Sequence, residues 1–259
     1  MVHSEWQRDG WDATVRIGLL TPAADVGPEA EMNAMVPPTV TVHAARVPFA
    51  AMRPGGGMDP TIARQAVVAF AEPPGVDTAT ELLAACPVQV IGFGFTSSAY
   101  VSGRDGESRM CSRLSERARG VPVVAACAAM AHAARAVGGE RLSLVNPPWF
   151  DSQLTALGAE YFASSGFDVV AAASCSLPSD QKAITPGLLH AWVMDHTPDS
   201  ADVIAIGGNG FRAVGVIETL ERDLGRPVVT ANQALLWACL AAAGASAPID
   251  HYGSLLRGS

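Results

Sequence analysis

Three small hydroxyl residues, Thr96, Ser97 and Ser98, directly follow the apolar run of residues 88–95. An unbroken Val/Ile/Phe run bounded by glycines is typical of a strand that is buried on both faces of a parallel sheet. Ligands of such sheets bind beyond the carboxyl ends of the strands, so the sequence predicts these hydroxyls at the mouth of a site. There they could donate to an anion such as a carboxylate. The alternative is that they only cap the following helix.

A glycine-rich turn ends a second apolar run, residues 201–206, and reads Gly207, Gly208, Asn209 and Gly210. Glycines let a ligand approach the backbone closely, and the Asn209 amide could hydrogen-bond to it. The alternative is a tight strand-to-helix turn without a ligand. We expect the two strand ends to face each other across one small-molecule site.

Two further side chains are candidates for proton transfer or nucleophilic attack. Asp25 follows the predicted first strand and could act as an acid or base, or it could only shape the turn before Pro28. Cys127 opens a predicted helix, where a thiol pKa falls, although most buried cysteines are small core residues. Ser97 as a nucleophile is less favoured because no GxSxG motif surrounds it.

Regular alternation of strand and helix patterns predicts an α/β protein with parallel sheets. Residues 141–147 repeat the spacing of residues 16–22, and residues 227–232 echo residues 122–127. We therefore expect two pseudo-symmetric, doubly wound (Rossmann-like) halves with the site in the cleft between them. The alternative is a single sheet whose repeats are generic strand–helix patterns.

The expected first half comprises residues 14–120, with residues 227–259 packing back on it, and the second comprises residues 121–226. Within the first half, the pattern predicts a loop near the site over residues 50–58 and a charged helix over residues 107–119.

Composition excludes several classes of function. The chain has 259 residues, 49% of them hydrophobic and 16% charged, and a formal net charge of −8. This describes a compact globular protein and argues against a nucleic-acid surface. No run reaches the roughly 18 uninterrupted apolar residues of a membrane span, so we expect none. The five cysteines form no CxxC pair, which fits reduced thiols in a cytoplasm. His190 and His196 are six residues apart, so we expect no metal site.

The order and spacing of several short motifs resemble the aspartate/glutamate racemase superfamily, in its maleate isomerase and arylmalonate decarboxylase branch. The motifs that carry the resemblance lie at residues 17–22, 29–32, 90–103, 203–210, 224–229 and 252–256. Such enzymes act on small carboxylates without a metal or an organic cofactor. The resemblance therefore implies a cofactor-independent isomerase or lyase, and we expect a homodimer or a higher homo-oligomer.

The sequence departs from this family at the two positions where its members carry reactive cysteines. By the resemblance these positions fall at Phe95 and Gly208, and neither side chain can transfer a proton or attack a carbon. We therefore reject ordinary amino-acid racemisation and ordinary maleate isomerisation. What the resemblance leaves is an anion cradle. We place it at eight substrate-binding positions: Pro22, Ala23, Phe95, Ser98, Gly207, Gly208, Asn209 and Gly210.

The leading hypothesis is acid/base chemistry on a small carboxylate or carbonyl compound, of isomerase or decarboxylase type and without the cysteine pair. The candidate catalytic residues are Asp25, Thr96, Ser97 and Cys127. One alternative is a non-catalytic carboxylate-binding protein or an inactive paralogue. The other is a hydrolase with Ser97 or Cys127 as its nucleophile.

Overall fold

Two four-stranded parallel sheets form the framework of the protein, which is described here by a computed structural model covering residues 9–245 and 248–258. The strands are β1 Val15–Pro22, β2 Val40–Val47, β3 Met52–Arg53, β4 Gly57–Met58, β5 Val90–Phe93, β6 Val123–Ala125, β7 Arg141–Asn146, β8 Asp168–Ser174, β9 Val203–Ile206 and β10 Val228–Thr230. The helices are α1 Gly27–Met35, α2 Arg64–Ala71, α3 Gly75–Leu83, α4 Thr96–Arg117, α5 Ala126–Ala136, α6 Ser152–Ser164, α7 Pro186–His196, α8 Ile217–Leu224, α9 Ala231–Ala242 and α10 Ser254–Arg257.

The two sheets have the same strand order, which accounts for the repeat in the sequence. The first is ordered β2-β1-β5-β6, and the second, β10-β9-β7-β8, gives β8-β7-β9-β10 when read from its other edge. All pairings within them are parallel. The expected α/β architecture of two similar halves is confirmed.

The central strands are apolar because helices cover both of their faces. Every residue of β5 and β9 is buried, as expected for inner strands of a parallel sheet. On the first sheet α1 packs with α9, and α3 packs with α4. Among the described residues, every helix is too short or too polar to cross a lipid bilayer.

The helix that follows the last strand of each sheet contacts both sheets. Helix α5 follows β6 but contacts β9 and β10, whereas α9 follows β10 but contacts β5 and β6. The two helices also pack against each other. The proposed boundaries of the halves stay a prediction. Of residues 227–259, the structure pairs β10 with the second sheet and packs α9 against strands of the first.

Two segments differ in detail from the sequence prediction. Residues 52–58, expected as a loop, form the antiparallel β3–β4 hairpin. The charged helix expected over residues 107–119 is the second part of α4, which already begins at Thr96 because the chain turns into a helix directly after β5. A break at Gly103, with φ of 68°, interrupts this helix. Gly103 therefore separates two helical segments, and the charged helix that the sequence predicted after this glycine is the second of them.

A glycine lets α6 pack closely on α4. A Cβ added at Gly158 would lie 2.7 Å from the Tyr100 ring, which is buried. Gly158→Ala should therefore lower the free energy of unfolding by about 1–3 kcal/mol, since overpacking outweighs the helix propensity of alanine. Urea denaturation measures the change.

Gly187→Ala is the matched control for this prediction. Gly187 also lies in a helix, but nothing lies within 4 Å of an added Cβ. Its stability should stay the same or rise by up to about 1 kcal/mol. Equal changes in the two variants would contradict the close packing of α4 and α6.

Candidate active site

A small cavity lies where the carboxyl ends of β1, β5, β7 and β9 meet. Its lining residues are Pro22, Asp25, Phe49, Met58, Ile62, Gly94, Phe95, Thr96, Ser97, Trp149, Phe150, Gly208, Asn209 and Gly210. The cavity measures about 20 Å³, enough for about one water molecule. Both halves contribute to this lining, as the two matching strand ends predicted.

Direct hydrogen bonds join the two strand ends. The Thr96 N–H donates to Asn209 Oδ1 at 3.0 Å, and the Gly208 N–H donates to Thr96 Oγ1 at 3.1 Å. Thr96 and Asn209 are both buried. These backbone donors are therefore used between the halves and are not free for a ligand. The Thr96 hydroxyl still has its own proton, and accepting from Gly208 leaves that proton free to point elsewhere.

Ser97 has the least committed polar groups at the start of α4. Its N–H belongs to the first helical turn, where no intrahelical acceptor exists, and it finds no other acceptor among the described residues. Its hydroxyl likewise makes no hydrogen bond to the described residues and lines the cavity. Ser97 can therefore offer an incoming anion two donors.

Asp25 presents one free carboxylate oxygen. Oδ1 accepts from the Gly27 N–H at 2.9 Å and from Gln181 Nε2 at 3.1 Å, whereas Oδ2 accepts no bond from the described residues. A Cβ added at Gly210 would lie 2.6 Å from Oδ2, so this oxygen lies directly against the glycine turn. Burial raises the pKa of Asp25, and the bonds from Gly27 and Gln181 oppose that rise.

Gln181 and Arg46 support Asp25, and the sequence analysis missed both. Gln181 comes from the loop before α7 and reaches Asp25 across the cleft. Arg46, on β2, donates to the backbone oxygen of Asp25 and pairs with Glu29 on α1. Neither residue lies in a recognisable motif. Only the pairing of β2 with β1 and the path of a long loop bring them here.

Glu31 and Asn232 extend the polar network behind the cavity. Asn209 Nδ2 donates to Asn232 Oδ1, and Asn232 Nδ2 donates to Glu31 Oε2. Burial raises the pKa of Glu31 to about 7, and hydrogen bonds from Asn232 and two backbone amides oppose that rise. Glu31 stood in a motif of the sequence without an assigned role. Its role becomes visible only from its burial between α1 and α9, and a single sequence does not show that burial.

Aromatic rings form much of the remaining wall. The Phe95 ring lies 4.0 Å from that of Phe70 and 5.0 Å from that of Phe49, centroid to centroid. On the side of the second half, Trp149 lies beside Phe211 with centroids 6.1 Å apart. None of the lining residues is Lys, Arg or His. An anion in this cavity would therefore meet neutral donors and apolar walls.

The backbone at Gly208 requires glycine. Its φ is +83°, which L side chains rarely adopt, and an added Cβ would lie 2.7 Å from Pro147 Cγ. A side chain at this position, cysteine included, would need both the turn and Pro147 to move.

Cys127 lies outside the cavity lining, although it was a candidate catalytic residue. Its thiol is buried and donates to the Thr96 backbone oxygen at 3.3 Å. Burial raises its pKa well above the usual value, and the nearby Glu107 carboxylate raises it further. The expected lowering by the helix N-terminus is therefore outweighed. All five cysteines lie in the described part of the chain, and none of them lines the cavity.

Three of the predicted binding residues also lie outside the lining. Ala23 is exposed beside the turn, and Ser98 is buried with its hydroxyl donating to Phe95 O. Gly207 is buried too, and an added Cβ would lie 2.7 Å from both Asn146 Oδ1 and the Tyr100 hydroxyl. The other predicted residues, Pro22, Asp25, Phe95, Thr96, Ser97, Gly208, Asn209 and Gly210, line one cavity together.

The segment after β2 covers the cavity. Met58 on the β3–β4 hairpin and Ile62 both line it, and the Ile62 N–H donates to Trp149 O at 3.1 Å. This bond ties the cover to the second half. At about 20 Å³, the cavity accepts a molecule larger than water only if its lining residues move apart.

Comparison with known proteins places these features in a family. The family model described as arylmalonate decarboxylase matches residues 17–256. A maleate isomerase of Pseudomonas putida is 24% identical over 252 residues, which cover 94% of this chain and 98% of the relative.

Solved structures share the fold. A maleate isomerase variant from Pseudomonas putida S16, with maleate, aligns with a TM-score of 0.82 at 21% identity, covering 95% of this chain and 98% of the other. A Nocardia farcinica maleate cis-trans isomerase variant with a covalently bound succinylcysteine intermediate aligns at 0.82 and 22%, covering 94% and 98%. Unliganded arylmalonate decarboxylase aligns at 0.77 and 21%, covering 95% and 100%.

The family model spans both sheets, the cavity between them and nearly the whole chain, as the resemblance in the sequence predicted. The chain therefore belongs to the arylmalonate decarboxylase family.

Proposed function

We propose that the protein is a cofactor-independent lyase that removes one carboxylate from a small dicarboxylate with an apolar substituent. The observation that carries this proposal is the cavity itself. It combines one free carboxylate oxygen on Asp25, the uncommitted donors of Ser97 and walls of aromatic rings, and no thiol lines it.

Decarboxylation of a substituted malonate leaves an electron pair on the α-carbon when the bond to the departing CO₂ breaks. This pair delocalises into the remaining carboxylate and gives an enediolate. The Thr96 hydroxyl and the two donors of Ser97 would hold the enediolate oxygens, since fixed donors in a closed cavity stabilise developing charge. These donors are neutral, so they attract the substrate carboxylates less strongly than a cation would. They can still stabilise the negative charge that develops on the enediolate oxygens.

Asp25 is the proton donor in this proposal. Its Oδ2 transfers a proton to the α-carbon, a C–H bond forms, and a proton from solvent restores the acid form of Asp25 after the product has left. Burial raises the pKa of Asp25, so its acid form persists to higher pH than that of an ordinary aspartic acid. The product-forming rate should therefore fall as the pH rises through this raised pKa.

The absence of a thiol from the lining favours this reaction over maleate isomerisation. A related maleate cis-trans isomerase has been trapped as a succinylcysteine intermediate, which requires a cysteine in contact with its substrate. No cysteine of this chain lies at the cavity, and Gly208 has neither the backbone conformation nor the space for one. That Phe95 and Gly208 occupy the positions of the family's two reactive cysteines is itself part of this proposal.

The two alternatives make different demands on the cavity. A hydrolase needs a base beside its nucleophile, but the lining holds no histidine and its one carboxylate, Asp25, makes no hydrogen bond to Ser97. Cys127 is buried behind Thr96. A non-catalytic binding protein needs only the cradle. Multiple turnovers with release of CO₂ exclude the binding protein, and tight binding of the panel acids without product would support it.

Asp25→Asn should lower the rate of CO₂ release at least about 100-fold, because it removes the proton donor and keeps the shape of the side chain. The assay follows CO₂ from a panel of malonates with alkyl and aryl substituents, using isotopically labelled carboxylates.

Ser97→Ala should lower kcat in the same assay by on the order of 10-fold or more, because it removes one of the donors to the enediolate.

Asp105→Asn is the matched control for that experiment. Asp105 is exposed on α4, far along the helix from its start, and its substitution should leave turnover unchanged. If Asp25→Asn releases CO₂ as fast as Asp105→Asn, Asp25 is not the donor and the mechanism is wrong.

Cys127→Ala should keep the rate of CO₂ release within about threefold of wild type, because the thiol only donates to a backbone oxygen behind the cavity. Cys239→Ala, another buried cysteine in a helix, controls for the loss of packing. A loss with Cys127→Ala that matches the loss with Asp25→Asn would instead support a thiol mechanism.

A further inference from the structure

Glu31 is a buried carboxylate that does not line the cavity. It lies on α1 in the first half, only 8% exposed, and its Oε1 accepts from the Ala213 and Val214 N–H groups at 2.7 and 3.1 Å. Its Oε2 accepts from Asn232 Nδ2 at 2.7 Å. Glu31 therefore binds the segment that follows the 207–210 turn and the first turn of α9 at the same time.

A chain of hydrogen bonds with one direction leads from Glu31 to the cavity. Asn232 donates to Glu31 Oε2 and to Asn209 O, and its own Oδ1 accepts from Asn209 Nδ2 at 2.8 Å. Asn209 Oδ1 then accepts the Thr96 N–H. Each amide has its donor end towards Glu31 and its acceptor end towards Thr96. Reversing any one of them would set two donors or two acceptors against each other.

We infer that Glu31 is a positioning residue whose carboxylate fixes the orientation of Asn232 and Asn209, and through them the position of Thr96 at the cavity. As an acceptor on both oxygens, ionised Glu31 permits only one arrangement of the chain. Its catalytic consequence rests on the proposed function, because it assumes that Thr96 and Ser97 hold the reacting anion. The structural inference itself needs no substrate.

Protonation of Glu31 conflicts with this arrangement. A proton on Oε2 would face the Asn232 amide donor, and a proton on Oε1 would face two backbone donors. Reversing Asn232 would give a proton on Oε2 an acceptor, but it would set Asn232 Oδ1 against Asn209 O and Asn232 Nδ2 against Asn209 Nδ2. Reversing Asn209 as well would set its amide donor against the Thr96 N–H. The protonation state of Glu31 therefore affects the hydrogen bond of the Thr96 N–H at the start of α4.

The charges that act on Glu31 from neighbouring elements are few. Asp25 raises its pKa through space. On α1, Glu29 is paired with Arg46, and Arg212, next to the two backbone amides that donate to Glu31, is exposed. Helix α9 contributes no Asp, Glu, Lys, Arg or His. Glu107 accepts from the backbone of Cys127, whose thiol donates to Thr96 O, so its titration could also reach Thr96. The experiment must therefore separate Glu31 from both Asp25 and Glu107.

The experiment is a pH titration of the Thr96 backbone amide by ¹⁵N–¹H NMR without substrate, from about pH 5.5 to about pH 8.5 around the Glu31 pKa of about 7. In the wild-type protein the Thr96 resonance should shift with a midpoint near neutrality. Asp25→Asn should keep this transition. Glu31→Gln should abolish it, since the glutamine amide cannot lose a proton and must oppose at least one donor in every orientation.

Glu107→Gln is the matched control. Glu107 is equally buried and also accepts from amides at a helix N-terminus, that of α5, but no hydrogen bond links it to Asn209. The transition at Thr96 should persist in this variant. Asn232→Ala serves as a second test if Glu31→Gln does not fold. This substitution interrupts the hydrogen-bond chain between Glu31 and Asn209, so it should also remove the Thr96 transition.

Three results would overturn the inference: a wild-type Thr96 resonance that does not move, a transition that survives in Glu31→Gln, or one that survives in Asn232→Ala. The same variants are then assayed for CO₂ release. A lost Thr96 transition together with unchanged turnover would leave the hydrogen-bond chain intact as a structural finding. It would instead count against Thr96 as part of the proposed cradle.

Discussion

The arrangement of the cavity depends on the pair of hydrogen bonds that cross between Thr96 and the turn at Gly208 and Asn209. Each bond takes a backbone donor from one half and an acceptor side chain from the other. Because these groups are buried, breaking a bond would leave a polar atom without water or a partner, which costs free energy. The two halves are therefore held in one relative position at the point where their strands end. The groups left over, the Thr96 hydroxyl and the Ser97 donors, are the ones available to a ligand.

Closure gives those remaining groups their chemical effect. In a cavity of about 20 Å³ little water screens Asp25, which is why its carboxyl holds a proton more tightly than in solution. The same exclusion strengthens hydrogen bonds to a developing anion. The hydrogen bond from Ile62 to Trp149 ties the cover to the second half, so a ligand larger than a water molecule requires residues 57–62 to shift.

The sequence predicted the repeated α/β halves because hydrophobic runs and strand-ending prolines carry the repeat directly. It also predicted most of the lining, since polar and glycine residues after buried strands mark the mouth of a parallel sheet. It did not predict Gln181, Arg46 or Asn232, whose roles depend on contacts between distant segments. Cys127 shows the opposite error. Its place at a helix N-terminus predicts a lowered thiol pKa, but burial and the nearby Glu107 carboxylate raise that pKa in the folded protein.

The exchange of α5 and α9 between the sheets has a consequence for biosynthesis. By the time residue 125 has been made, all four strands of the first sheet exist. Until residues 231–242 leave the ribosome, however, β5 and β6 lack the helix that covers one of their faces. A nascent chain of about 200 residues therefore exposes an apolar sheet surface of the kind that chaperones bind. The two halves resemble independent domains in topology, but neither can complete its core before translation is nearly finished.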